Sequence, residues 1–322
     1  MLPTLHEIES AADIVYSVMS PTPQYCWPLL CKRLGVELWL KHENHTPVGA
    51  FKVRGGLVYF SDLAKDSTVK EVVTATRGNH GQSVALSAKR CGLSATIVVP
   101  HGNSTEKNAA MRALGGTLIE HGDDFQASRE HAIHIASETG AHLVPAFHPR
   151  LIQGVASYAI ELFRHVSDLA CVYVPIGLGS GICGVCAVRN ALSPKTKIVG
   201  VVSSHARAYA LSFSERLLVE AEVTTRLADG MACRTPQPEA LEAIWRYVDR
   251  IVEVTDQEVG EAMRSIFEDT HNCAEGAGAA PVAAIAKEAS IIKGLKVAAV
   301  ISGGNVDRHV FASILSGLAP EF

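Results

Sequence analysis

A chain of 322 residues with 48% hydrophobic and 19% charged residues can fold into a globular protein with a sizeable core. Its formal net charge is −4 and it has no long basic run, so we do not expect nucleic acid as a partner. No stretch approaches about 20 consecutive apolar residues, and the amino terminus lacks a basic start followed by an apolar run. We therefore expect no membrane span and no secretion signal, which favours a cytoplasmic protein.

Short β-rich segments alternate with helical patterns along most of the chain. The predicted strands are 36–40, 71–76, 95–100, 117–120, 142–145, 171–176, 197–202, 250–254 and 296–302. Between them lie helical patterns at 82–90, 107–114, 125–139 and 154–166. Strands joined by helix-length connections indicate an α/β fold with parallel sheets covered on both faces. Nine strands are many for one sheet, which predicts two lobes with a ligand between them.

Loop-like composition near 67–70 and 146–150 predicts where the lobes meet. We expect a large domain formed by 1–68 and 147–322, and a small domain formed by 69–146. The eight cysteines are scattered, and a chain without an export signal usually keeps them reduced. The pair Cys183-Gly-Val-Cys186 has the spacing of a metal or redox site, but no second pair accompanies it, so we expect neither role.

One lysine occupies a segment that otherwise looks built for packing. In GAFKVRGG (49–56), Lys52 lies between Phe51 and a pair of glycines that predicts a turn. Lys52 could be an ordinary surface charge, or its amine could be held in a pocket for chemistry. This segment alone leaves both interpretations open.

Three glycine-bearing turns follow predicted strands, where open α/β sheets bind ligands. TRGNHGQ (76–82) precedes a helix whose first N–H groups suit a carboxylate, although Asn79 could be only a local cap. GLGSG (177–181) has the composition of a phosphate cradle but is neither a Walker loop nor a dinucleotide fingerprint. SGGN (302–305) ends a strand, and its serine could instead cap the final helix. With the lysine, these turns supply every part that pyridoxal phosphate needs.

The combined motifs resemble fold-type II pyridoxal-phosphate enzymes of the serine/threonine dehydratase and serine racemase group. The matching segments, in order, are GAFKVRGG, RGNHGQ, GLGSG, LADGMA (227–232), EGAG (275–278) and SGGN. The resemblance covers nearly the whole chain. It implies a tryptophan synthase β-like fold of two lobes, each an open, mostly parallel, twisted sheet with helices on both faces. It also implies pyridoxal 5'-phosphate as cofactor, a small amino-acid substrate and a homodimer.

The resemblance also assigns roles to single residues. Lys52 is expected to form a Schiff base with the cofactor and then to act as the base at the substrate Cα. Phe51 should flank the cofactor ring, Asn79 should bind its phenolic oxygen, and Ser302 should face its nitrogen. Gly230 should let the backbone pass close to the ring.

The remaining implied contacts concern the phosphate, the substrate and one carboxylate. The phosphate is expected to lie against the N–H groups of Gly177, Leu178, Gly179, Ser180 and Gly181. The substrate carboxylate is expected to meet Thr76, Arg77, Gly78, Asn79 and His80. Glu275 lies near the cofactor in this family, although a carboxylate at a helix start is also favoured by the helix dipole alone.

Ser302 bears on the type of reaction. A hydroxyl opposite the ring nitrogen cannot fix a proton there as a carboxylate would. The ring is then a weaker electron sink, which favours prompt loss of a β-substituent. We therefore expect dehydration of a 3-hydroxy-L-amino acid, namely threonine, serine, 3-hydroxyaspartate or phenylserine, to a 2-oxo acid and ammonia. The alternatives are an amino-acid racemase and a cofactor-free binding protein on the same fold.

Several positions depart from the family pattern. Arg77 stands where this group commonly has a serine that serves the racemase as its acid/base, and arginine is a poor proton shuttle. Arg77 could clamp a substrate carboxylate or point to solvent. Ala50 replaces a usual serine. Val202 and Ala208 occupy the positions of the racemase's carboxylate ligands for a divalent cation, so we expect no metal site. By the same resemblance the chain ends soon after the last helix of the catalytic domain, so we also expect no allosteric amino-acid-binding domain.

Overall fold

The computed structural model describes residues 2–318, within which the chain forms ten strands and fourteen α-helices. The strands are β1 (Gln24–Cys26), β2 (Glu37–His42), β3 (Glu71–Ala75), β4 (Ser94–Val99), β5 (Thr117–Glu120), β6 (His142–Leu143), β7 (Cys171–Pro175), β8 (Lys197–Ser203), β9 (Arg250–Val254) and β10 (Lys296–Ile301). The helices are α1 (Leu5–Tyr16), α2 (Pro28–Leu34), α3 (Lys52–Leu63), α4 (Asn79–Arg90), α5 (Thr105–Ala113), α6 (Phe125–Thr139), α7 (Pro149–Val155), α8 (Ser157–His165), α9 (Ser180–Leu192), α10 (Ala208–Glu215), α11 (Pro238–Tyr247), α12 (Asp256–Thr270), α13 (Gly276–Lys287) and α14 (Arg308–Leu315).

The strands form two open sheets. A six-stranded sheet has the order β1-β2-β10-β7-β8-β9, and a four-stranded sheet has the order β5-β4-β3-β6. All neighbouring strands are parallel except β1 and β2, which pair antiparallel at the edge of the larger sheet. The predicted α/β class with two mostly parallel sheets is confirmed. The predicted domain limits, 1–68 with 147–322 and 69–146, stay a prediction.

The apolar runs in the sequence become strands that are buried on both faces. β10 pairs with β2 on one side and β7 on the other, and all of it except its first residue is buried. Its sequence KVAAVI has no alternation of polar and apolar residues, as is typical of a parallel strand covered by helices on both faces. The alanine-rich helix α13 packs against it and is itself almost entirely buried.

Some predicted elements were wrong in detail. The predicted helix 154–166 is two helices, α7 and α8, separated at Ala156. The predicted helix 82–90 begins earlier, at Asn79, so this residue belongs to the first helical turn. The glycines after Lys52 do not form a turn but lie inside α3. The short strand β1 was not predicted.

Among residues 2–318, no helix combines the length and the apolar character that a membrane crossing requires.

Candidate active site

The three glycine turns and Lys52 meet where α3 begins beside the end of β10. The N–H of Phe51 donates to the carbonyl of Ser302 at 3.0 Å, and Ala50 pairs with Gly303. These contacts fix the first turn of α3 against the SGGN segment. The Lys52 side chain then reaches the GLGSG loop, where its Nζ lies 3.4 Å from the Ser180 hydroxyl.

Lys52 is a half-buried residue whose amine faces the interior of the site. Burial lowers its pKa from 10.5 to about 8. Because only a neutral amine is a nucleophile, this shift makes Lys52 more reactive near neutral pH than a surface lysine. The amine also lies 5.2 Å from the centre of the Phe51 ring. The structure therefore gives Lys52 the environment of a reactive amine and not of a surface charge.

Behind Lys52, α3 is anchored by a cluster of buried charges that the sequence did not reveal. Arg54 pairs with Glu43 at 2.7 Å and with Glu161 at 2.6 Å. Lys41 completes the cluster through a 2.5 Å contact with Glu161. Removing one partner from such a cluster costs about 3–5 kcal/mol because it leaves an uncompensated buried charge. The cluster therefore holds α3, and Lys52 with it, against β2 and α8.

The GLGSG loop leads directly into α9, a helix of 13 residues. Gly179 has a φ of +100°, which favours glycine, and a Cβ there would lie 2.5 Å from the Ala240 Cβ. A Cβ at Gly177 would lie 2.3 Å from the Gly230 carbonyl oxygen. A side chain would therefore clash with backbone at Gly177 and with the Ala240 side chain at Gly179. The N–H groups at the start of α9 suit a phosphate.

Asn79 is held by two partners in the first turn of α4. Its Nδ2 donates to Oε1 of Glu275 at 2.7 Å, and its Oδ1 accepts from Nδ2 of Asn305 at 2.8 Å. Asn305 also donates to the Val48 carbonyl at 2.8 Å. These bonds fix which way the Asn79 amide faces; Asn305 belongs to the SGGN motif, but its bond to Asn79 was not predicted.

Glu275 precedes α13 but makes no capping bond with its side chain. It is only 3% exposed, and burial raises its pKa to about 7. Its Oε2 is buried without a hydrogen-bond partner within residues 2–318 and lies 3.7 Å from Nζ of Lys107. The interpretation of Glu275 as merely a helix-start carboxylate is therefore insufficient. Ser302 does not cap the final helix, since α14 begins after Asp307.

The turn between β3 and α4 contains the residues predicted to meet the substrate. Thr76 is buried, and its Oγ1 accepts from the N–H of Gly78 at 3.0 Å. The Nε2 of His80 is buried without a hydrogen-bond partner in the described part of the chain. Burial and the nearby charge of Lys52 lower the His80 pKa to about 3. Arg77, in contrast, is exposed.

These features together test whether pyridoxal phosphate fits the site. A buried amine of lowered pKa lies beside a glycine loop at a helix start, which provides an amine and an anion cradle. An oriented amide, a neutral imidazole and the buried Ser302 surround them. This donor set matches the cofactor's aldehyde, phosphate and ring, so the residues present fit the group.

Comparison with known proteins gives the same answer. The protein family described as "Pyridoxal-phosphate dependent enzyme" matches residues 15–303, which is most of the chain. The chain belongs to this family. L-threonine ammonia-lyase of Thermotoga maritima is 34% identical over 97% of this chain and 78% of its own length. The processed threonine deaminase isoform 2 of Solanum lycopersicum superposes with a TM-score of 0.90 at 30% identity, over 98% of this chain and 95% of that one.

Maize serine racemase has the same fold, with a TM-score of 0.90 and 25% identity over 98% of both chains. The chain spans 50% of the threonine dehydratase of Nicotiana attenuata and 60% of that of Haemophilus influenzae. The predicted fold-type II dehydratase and racemase group is confirmed, and so is pyridoxal 5'-phosphate as cofactor. The predicted enzyme class, a dehydratase or ammonia-lyase, agrees with the names of these relatives. The roles of single residues stay predictions.

Cys183 and Cys186 lie buried in the middle of α9. Burial raises the pKa of the Cys183 thiol to about 12, so it is a poor thiolate at neutral pH. The structure gives this pair a packing role in the core between α9 and its neighbours.

Proposed function

We propose that this enzyme catalyses β-elimination of a 3-hydroxy-L-amino acid and releases a 2-oxo acid and ammonia. Two residues at the site carry the proposal. The Lys52 amine has a pKa lowered by burial, and the buried residue at the end of β10 is Ser302 and not a carboxylate. The names of the relatives, threonine ammonia-lyase and threonine deaminase, support the same reaction type.

Each group has a separate task in this proposal. Bound pyridoxal phosphate supplies an electron sink for the bond broken at the substrate Cα. Lys52, whose pKa is lowered to about 8, takes the Cα proton. The N–H groups at the start of α4 bind the substrate carboxylate, and those of 177–181 hold the phosphate. Phe51 flanks the ring, and Gly230 lets the backbone approach it.

His80 belongs to the substrate side of the proposal. With a pKa of about 3 its imidazole is neutral at physiological pH, so it can donate or accept a hydrogen bond without adding charge. Arg77 lies in the substrate turn and is exposed, so two roles are proposed for it. It either clamps a second carboxylate, as in 3-hydroxyaspartate, or leaves the pocket free for a bulkier side chain, as in phenylserine.

One substrate panel tests the proposal. Release of 2-oxo acid is measured with threonine, serine, both 3-hydroxyaspartates and phenylserine, using Lys52→Ala as the control. We expect release from at least one of them and none with the control. If no member of the panel yields a 2-oxo acid with the cofactor-loaded enzyme, the proposed reaction is wrong.

A racemase is the second candidate, favoured by the likeness to maize serine racemase. Arg77 in the substrate turn is a poor proton shuttle, which argues against it. Chiral analysis of recovered amino acid separates the two, because a racemase would form inverted amino acid faster than keto acid.

We further propose a homodimer without a divalent cation, so a chelator should leave activity unaltered. Loss of activity restored by magnesium would contradict that.

A further inference from the structure

Lys107 reaches from the half of the molecule that contains the four-stranded sheet to the half that contains the six-stranded sheet. It lies on α5, next to β4, and is 7% exposed. Its Nζ lies 2.6 Å from Oδ2 of Asp229, in the short 3-10 helix 229–231, and 3.7 Å from Oε2 of Glu275. A buried amine therefore bridges two carboxylates on the opposite side of the site.

The stem of Lys107 also supports the turn that precedes α4. A Cβ at Gly78 would lie 2.5 Å from Cδ of Lys107, so the backbone of this turn rests directly on the lysine side chain. Two neighbouring contacts join the same halves of the molecule, from Ser104 to Asp307 and from the N–H of Arg308 to Glu106. The position of Lys107 is thus fixed on both sides.

Glu275 transmits the position of Lys107 to the site. Its Oε1 accepts the hydrogen bond from the Asn79 amide, while its Oε2 faces Lys107. An ionised carboxylate can only accept hydrogen bonds, so it requires the NH₂ end of the amide. Asn305 already holds Oδ1 of Asn79, so the amide keeps this orientation whatever the charge on Glu275. The charge sets the strength of the bond instead, because a hydrogen bond to an ionised carboxylate is roughly twice as strong as one to a neutral carboxyl.

We propose that Lys107 is a positioning residue: from across the site it favours the ionised form of Glu275 and so strengthens the hydrogen bond that holds the Asn79 amide. This inference rests on the proposed function, in which Asn79 meets the cofactor ring. Lys107 acts only through Glu275 and touches neither cofactor nor substrate in this proposal.

The direction of the expected effect follows from the groups around Glu275. Lys107 from α5 favours the ionised form, whereas Asp229 disfavours it, as does burial. The neutral amide of Asn79 from α4 and the Cys273 thiol complete the groups that face it. With burial dominant, the pKa of Glu275 stands at about 7. Removing the Lys107 charge raises this pKa further, so a larger fraction of Glu275 is protonated at neutral pH.

The test compares cofactor-loaded Lys107→Met and Lys107→Arg with the wild type and with Lys293→Met, which removes an exposed lysine. The dissociation constant of pyridoxal phosphate is measured by visible absorbance across neutral and alkaline pH. We expect Lys107→Met to weaken binding about tenfold near neutral pH, with recovery at alkaline pH as Glu275 ionises. Lys107→Arg keeps the charge and should stay within about threefold of the wild type. Lys293→Met should equal the wild type.

Glu275→Gln provides a second variant, which does not depend on whether Lys107→Met folds. It should lose the part of the pH dependence of cofactor binding that Glu275 causes near neutral pH and keep the part that the Lys52 amine causes. The double variant Lys107→Met/Glu275→Gln should bind pyridoxal phosphate no more weakly than Glu275→Gln alone. The effects of substitutions at residues in one chain of contacts are not additive.

Wild-type affinity and pH dependence in Lys107→Met would overturn the inference, and so would additive effects in the double variant. The proposed reaction is judged separately, by release of 2-oxo acid from the wild type. An enzyme that responds to Lys107→Met as expected but converts no amino acid in the panel would refute the reaction alone. An active wild type whose Lys107→Met variant binds cofactor unchanged would refute the inference alone.

Discussion

The surroundings of Lys52 disfavour the charged form of its amine. Burial lowers its pKa from 10.5 to about 8. The neutral form increases as the pH rises through the pKa, and the neutral form attacks the cofactor aldehyde. We therefore predict that the stripped protein captures pyridoxal phosphate faster as the pH rises, reaching a plateau above about pH 8. Rapid-mixing absorbance measurements across this range check the prediction.

The control for this measurement is stripped Lys52→Ala, which should show no capture at any pH. Saturating cofactor at low and constant ionic strength isolates the titration of the protein. A rate that keeps rising about tenfold per pH unit well above pH 9 would mean an ordinary, solvent-exposed lysine pKa.

At the scale of elements, the conformation of the GLGSG loop depends on Gly179, where any side chain would be strained. Gly179→Ala combines a left-handed φ with a clash against Ala240, so the loop must shift and its N–H groups with it. We predict at least about tenfold weaker binding of pyridoxal phosphate, which corresponds to about 1.4 kcal/mol. Fluorescence or absorbance titration of the stripped variant measures this loss.

Gly140→Ala is the matched control for that variant. Gly140 also has a left-handed φ, of +74°, but a Cβ there would have no neighbour within 4 Å. It should cost stability, by about 1–2 kcal/mol, without changing cofactor affinity. Equal affinities for the two variants would show that the loop at 179 does not hold the phosphate.

The helices show where sequence patterns stop being informative. Gly55 and Gly56 were predicted as a turn, yet they lie in α3 because other segments pack against them. A Cβ at Gly55 would lie 2.7 Å from the Leu151 carbonyl oxygen, and one at Gly56 would lie 2.2 Å from the Ser83 hydroxyl oxygen. A glycine that serves helix packing looks the same in the sequence as a glycine that serves a turn. Sequence patterns located nine of the ten strands, because burial on two faces leaves apolar runs, but the four helical patterns cover only five of the fourteen helices in residues 2–318.

The candidate site was only partly accessible to sequence reasoning for a related reason. Lys52, the glycine loop and the turn before α4 form local motifs, so they stand out in the chain. Lys107 and Arg54 are ordinary charged residues in helices, and their burial depends on contacts with Glu275, Asp229 and Glu161 that are distant in the sequence. Asn305 lay within a recognised motif, but its bond to Asn79 requires the folded structure.

At the scale of the whole molecule, the site joins both sheets. Contacts between its two sides run through Lys107, Asn79 and Ser104. A ligand that binds this folded arrangement and not the unfolded chain stabilises it, by about 2.7 kcal/mol at a concentration 100 times its dissociation constant. We predict that pyridoxal phosphate raises the thermal midpoint of the stripped protein in a concentration-dependent manner.

Pyridoxal without the phosphate is the matched control for this stabilisation. It can still react with Lys52, but it offers nothing to the N–H groups of 177–181. We expect a clearly smaller rise in the thermal midpoint, measured by calorimetry at equal ligand concentration. Equal shifts with both ligands would show that the 177–181 loop does not bind the phosphate.

The covalent attachment of the cofactor is the central claim, and one measurement tests it most directly. The cofactor-loaded enzyme is reduced with borohydride, digested and mapped by mass spectrometry. We predict that the pyridoxyl label is found on the peptide containing Lys52, next to Phe51 and Val53. A label on another lysine, or no label on any peptide, would contradict the account.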